Sequence, residues 1–258
     1  IEIMKKLRDP QSGCPWDLQQ DHKSIAPYVI EEAYEVYESI QQDNMKELRS
    51  ELGDLLLQVV FHTQLASERN EFTFDDVASD ISEKMVRRHP HVFDQNTSAN
   101  ATNWEDIKAE ERKEKNQLSL LDDVPQALPA LSRSIKLQKR AARVGFDWTD
   151  AKDILGKLYE EIQELEEAQI RNNESNIEEE FGDILFVLAN VARHLNIDAE
   201  EALRHANQKF TERFTHMEQA LAFDHERMKQ MSLHELETLW NNAKIALKNS
   251  AVISGSKS

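Results

Sequence analysis

The chain is poor in the residues that most fold classes other than helical ones depend on. Among its 258 residues it has one cysteine, Cys14, so no intrachain disulfide can form. With no charged-then-apolar leader in view, a reducing, cytoplasmic home is expected. Glycine and proline number six each, few for a sheet protein that must make many tight turns. No apolar run approaches the ~20 residues that cross a bilayer. The longest, Leu55-Leu56-Leu57 and Val59-Val60-Phe61, are split by Gln58, so no membrane partner is expected. Cations are scarce as well: 31 Lys and Arg against 48 Asp and Glu leave a net charge of -17. That excludes the clustered positive surface a nucleic acid requires. There is no glycine-rich phosphate loop, which excludes a P-loop enzyme. An acidic protein can still bind phosphates when divalent cations stand between the two.

What the chain does contain points to helix. Glu, Lys, Leu, Ala and Gln are plentiful, and 40% apolar residues can fill a core. Shifting the sequence along itself by 129 places Glu31, Glu32, Glu35, Glu38, Glu51, Gly53 and Asp54 on Glu160, Glu161, Glu164, Glu167, Glu180, Gly182 and Asp183. Acids fill 48 of 258 positions, so a chance overlay matches acid to acid only about one time in five. Six acid matches in one register mean duplication.

Each copy reads as a helical hairpin. The first runs from Ser24 to Gln42 and from Met45 to Ser67, joined by Gln42-Asp43-Asn44. The second runs from Asp150 to Ile170 and from Glu174 to His194, turning through Arg171-Asn172-Asn173. Ser24 and Asp150 are the expected N-caps, and Asn196 is placed to end the last helix. The expected layout is an N-terminal domain over 1–95, a linker over 96–130, a second and mainly catalytic domain over 131–250, and a flexible tail over 251–258. Within the linker, residues 94–103 read as a loop and 104–116 as a charged, solvated helix, with Pro125 and Pro129 punctuating the entry to the second half.

One and four residues apart on a helix is one patch, so Glu31, Glu32 and Glu35 crowd together, as do Glu160, Glu161 and Glu164. On the following helices Glu51 with Asp54, and Glu180 with Asp183, share a face. Long apolar runs follow both aspartates, and carboxylates bordering a core must be protonated, paired or neutralised by a cation. All-oxygen ligands favour a hard ion, Mg2+ or Mn2+. A solvated acidic face is the plain alternative. A di-iron bundle would want Glu-x-x-His where this chain has Glu-x-x-Asp, and His89-Pro90-His91 lacks a third zinc ligand.

E-E-x-x-E followed by E-x-x-D on the next helix resembles the motif of the all-α nucleoside triphosphate pyrophosphatases, which include MazG and dimeric dUTPases. Cys14-Pro15-Trp16-Asp17, Arg49 through Leu55, Arg87 through Phe93 and Val144 through Trp148 look like stretches of two-domain bacterial MazG proteins. The resemblance implies an all-α fold of tandem MazG-like domains, each a carboxylate-bearing hairpin completed by homodimerisation. It implies hydrolysis of ribo- and deoxynucleoside triphosphates to monophosphate and pyrophosphate, with loose base preference.

By that resemblance Glu161, Glu164, Glu180 and Asp183 bind magnesium, with a second set in Glu32, Glu35, Glu51 and Asp54. Glu160 and Glu161 are the catalytic acids, Glu160 orienting or deprotonating water, and Lys157, Lys209, Phe210, Arg213 and Trp240 bind the substrate. Tyr28 stands where Lys157 would be in the first copy, and Lys84 and Arg88 keep the spacing of Lys209 and Arg213. Catalysis is therefore expected in the second half. The rivals are a non-catalytic nucleotide- and metal-sensing dimer and a purely structural acidic bundle.

Overall fold

The computed structural model describes residues 1–93, 111 and 118–255, and every regular element among them is helical. The expected loop over 94–103 and charged helix over 104–116 lie outside the described residues, save Glu111, which is helical. The chain divides into two compact units, Ile1–Glu111 and Arg112–Ser258.

Unit 1 consists of α1 (Glu2–Leu7), α2 (Pro15–Gln19), α3 (His22–Gln41), α4 (Met45–Glu68), α5 (Phe74–Arg88) and α6 (Pro90–Phe93). Helices α3 and α4 form the expected antiparallel hairpin. Helix α3 starts two residues earlier than Ser24, because Asp21 is the better cap. Its carboxylate accepts from the Lys23 and Ser24 amides, while the Ser24 hydroxyl accepts from the Asp21 amide. Ser24 is thus the third residue of a capping box rather than its cap.

Met4, Ile25, Phe61 and Leu65 bury one end of the hairpin. Arg8 lies over the Phe61 ring and takes both oxygens of Glu68, at 2.8 and 2.7 Å. Its third nitrogen donates to the Asp17 carbonyl. Gly13 closes this N-terminal turn where any Cβ would sit 2.4 Å from the Leu7 carbonyl oxygen.

Unit 2 consists of α7 (Ala130–Ala142), α8 (Ala151–Ile170), α9 (Glu174–His194), α10 (Ala199–Ala220), α11 (His225–Gln230) and α12 (Leu233–Gly255). Helices α8 and α9 repeat the hairpin, α7 packs on α9, and α10 pairs chiefly with α12. The duplication reaches the backbone. Asp43 and Asn172, equivalent residues in the two turns, both take φ 52, the left-handed conformation that Asp and Asn tolerate. Asn44 and Asn173 then cap α4 and α9. Asp150 caps α8 as expected, and Asn196, at φ 55, ends α9. Helix α12 runs through Gly255, into the stretch expected to be a tail.

The Val144-Gly145-Phe146-Asp147-Trp148 stretch is latched to α9. Gly145 takes φ 83, and the Asp147 carboxylate receives Arg193 at 2.9 Å and His194 at 3.0 Å. Fully buried Asn190 also accepts from Arg193, so the α8 entry is fixed to the end of α9. The Arg193 guanidinium holds the Asp147 carboxyl down at about 2. No helix among the described residues is long and apolar enough to cross a membrane.

Candidate metal-binding active site

The two hairpins bring acids from successive helices together, as their spacing predicts. In unit 2, carboxylate oxygens of Glu161 and Glu164 on α8 and Glu180 on α9 all lie within 4.8 Å of one another. In unit 1, Glu32 and Glu35 on α3 and Glu51 on α4 do the same. Asp183 and Asp54 stand outside these tight triads but within electrostatic reach, since the charge of Asp183 raises Glu180 and that of Asp54 raises Glu32.

Electrostatics show carboxyls in each cage raised by burial and by one another, with Lys157 beside those of unit 2. Burial and then the Glu35 and Glu47 carboxyls push Glu51 up to about 7. Glu32 is raised by burial and then by Asp54 and Glu35. Glu164 is raised first by its hydrogen bond with Glu161, and Glu180 first by burial. Oxygen donors this close, partly desolvated and mutually repelling, fit a hard divalent cation.

The pH consequence has a definite sign. A carboxyl raised in the fold binds a proton that the unfolded chain has already lost. Its stabilising contribution is present below about 4.5 and disappears as pH rises through about 7 for Glu51. The melting temperature in chelator is expected to fall between pH 5 and 8, and saturating Mg2+ is expected to abolish the slope. A metal-free melting temperature that stays flat over that range would contradict this account of the cage.

The copies differ in one cation. Lys157 reaches both Glu160 and Glu161 at 2.8 Å, and its own pKa is raised by those hydrogen bonds, Glu160 first. Glu161 is only 5% exposed, whereas Glu160 is open to solvent. Unit 1 has Tyr28 in that position and Glu47 beside Glu51, where unit 2 has Asn176. Unit 2 in turn has Glu179 beside Glu180 where unit 1 has Ser50, so the first cage is the more negative by the one missing cation.

The expected substrate-binding residues form a second cluster on α10 and α12. The Phe210 and Trp240 rings lie 5.3 Å apart, and the Arg213 guanidinium sits 5.4 Å over Trp240. Lys209 is exposed one turn before Arg213. Helix α8 pairs with α9 while α10 pairs with α12, so Lys157 and the acids belong to one helix pair and this cluster to another. Sequence reasoning missed Phe214, stacked on Phe210 at 6.0 Å, although aromatics four apart on a helix signal such a contact.

The MazG nucleotide pyrophosphohydrolase domain model matches the chain twice, over residues 20–93 and 150–218. A nucleoside triphosphate pyrophosphohydrolase of Escherichia coli strain K12 is 47% identical over 250 residues, covering 95% of each chain. The nucleoside triphosphate pyrophosphohydrolase/pyrophosphatase MazG of Thermotoga maritima is 45% identical over 244 residues, 95% of this chain and 94% of that one. YabN of Bacillus subtilis is 49% identical over 247 residues, 94% of this chain and 50% of its own length.

Proposed function

This chain belongs to the MazG nucleotide pyrophosphohydrolase family, and from that premise we propose that it is a magnesium-dependent hydrolase cutting nucleoside triphosphates between the α and β phosphates. The products are a nucleoside monophosphate and pyrophosphate. The observation that carries the reading is the unit 2 cage, in which three carboxylates converge within 4.8 Å beside Lys157.

Glu161, Glu164, Glu180 and Asp183 would hold Mg2+, with Mn2+ as a substitute. Bound there, the ion would neutralise phosphate charge and make a water more acidic. The chain's own groups do the remainder. Exposed Glu160 orients the attacking water and takes its proton. Lys157, which clasps Glu160 and Glu161, is placed to shift its ammonium onto a phosphate oxygen. Lys209 and Arg213 grip the outer phosphates, while Phe210 and Trp240 offer flat faces to the base. Stacking tolerates every base, which fits broad rather than selective use of ribo- and deoxynucleotides.

The substrate cluster and the cage sit on different helix pairs, and both hairpins expose apolar stripes. A homodimer in the cytoplasm is the form we assign to the working enzyme. In a pyrophosphate-release assay with Mg2+, several triphosphates are expected to be hydrolysed, and excess chelator is expected to stop all of them. Tight nucleotide binding without pyrophosphate release would favour a sensor instead.

A further inference from the structure

Unit 1 has a second anion grip, and the chain fills it itself. Helix α5 corresponds to α10 under a shift of 125: Thr73 and Asp198 are the N-caps, Phe74 and Ala199 the first helical residues, and Lys84 and Arg88 fall on Lys209 and Arg213. In unit 2, Arg213 lies over Trp240. In unit 1, Arg88 holds a carboxylate. Glu111 Oε1 accepts from Arg88 Nε at 3.1 Å and from Arg87 Nη2 at 2.9 Å, while its Oε2 accepts from Arg88 Nη2.

Two oxygens meeting a guanidinium fork is the geometry by which arginine recognises phosphate as well as carboxylate. The site is also sheltered: the Arg88 and Glu111 side chains are 18% and 15% exposed. Arg88 and then Arg87 hold the Glu111 carboxyl down at about 2, so it stays anionic at any working pH.

We propose that Lys84, Arg87 and Arg88 form a polyphosphate-binding site in unit 1, and that Glu111 occupies it as a built-in competitor for the phosphate. This rests on the reading that Lys209 and Arg213 grip a triphosphate in unit 2. A tethered carboxylate competes at an effective concentration of about millimolar. External polyphosphate then binds unit 1 only weakly while Glu111 fills the fork, which makes the first unit an occupied site rather than an absent one.

The test uses the full chain with unit 2 blanked by Lys209→Ala and Arg213→Ala, and inorganic tripolyphosphate as the probe. Titrations run in chelator, so that both acidic cages repel it. Adding Glu111→Gln is expected to tighten tripolyphosphate binding at least tenfold, and adding Arg88→Ala to that chain is expected to cancel the gain. Glu111→Ala serves as a second variant lacking any side-chain acceptor, with thermal unfolding to verify that each chain is folded. No gain from either substitution in folded protein would overturn the proposal, as would a gain indifferent to Arg88→Ala. Whether the unit 2 blank itself weakens binding in the parent chain tests the underlying reading separately.

Discussion

Glu161→Gln is expected to lower the rate of pyrophosphate release by about 10³-fold or more while leaving the helical content of the chain intact. The substitution keeps shape and removes charge at the least exposed member of the unit 2 triad. Two functions fail together: the cage loses a ligand, and Lys157 loses one of its two carboxylate partners.

Glu32→Gln, at the equivalent position in unit 1, is expected to change the rate less than about twofold. The first cage has Tyr28 in place of the lysine, so it presents a more negative face to an anionic substrate. Steady-state rates of the two single variants, measured side by side with several triphosphates, check the assignment. Loss of turnover with Glu32→Gln alone would move catalysis to the first half.

The duplicated acids, the hairpins and their turns were legible because each is local. Acids one and four apart share a helix face whatever surrounds them, and the second helix must fold back through a turn whose Asp or Asn accepts positive φ. Cap choice was less legible. Both Asp21 and Ser24 can cap a helix, and only the reciprocal bond between them makes Ser24 the third residue.

Partnerships distant in sequence were not legible. Asp147 meets Arg193 across 46 residues, and Arg88 meets Glu111 across 23. Nothing in the spacing of either pair marks it as bonded. The same holds for which helices pair most closely in unit 2. Sequence reasoning places Lys157, the acids, Lys209 and Arg213 in one site, while the packing sets α8 on α9 and α10 on α12.

That pairing bears on the largest expected effect on assembly. The apolar runs after Asp54 and Asp183 do not close a core within the described part of the chain. Leu52, Leu56 and Val59 on α4 remain substantially exposed, and so do their duplicates Phe181, Leu185 and Leu188 on α9. The spacing i, i+4, i+7 makes each trio one stripe, set apart on α9 from the buried Val187, Ala189 and Asn190 and on α4 from the buried Phe61 and Leu65.

Water contact along two such stripes is unfavourable by about 25 cal/mol per Å2 of apolar surface, and in the proposed homodimer a second copy of the chain would supply a matching stripe by symmetry. Leu185→Glu would force a charge into that contact at a cost of about 3–5 kcal/mol, or roughly 10²–10⁴-fold in dimer affinity. Leu56→Glu is expected to act likewise on the unit 1 stripe. Sedimentation of the double variant at micromolar concentration is expected to show a folded monomer, with pyrophosphate release lost in parallel if the proposed dimer is the working form. A double variant that stays dimeric and active would mean that these stripes face something other than a second copy of the chain.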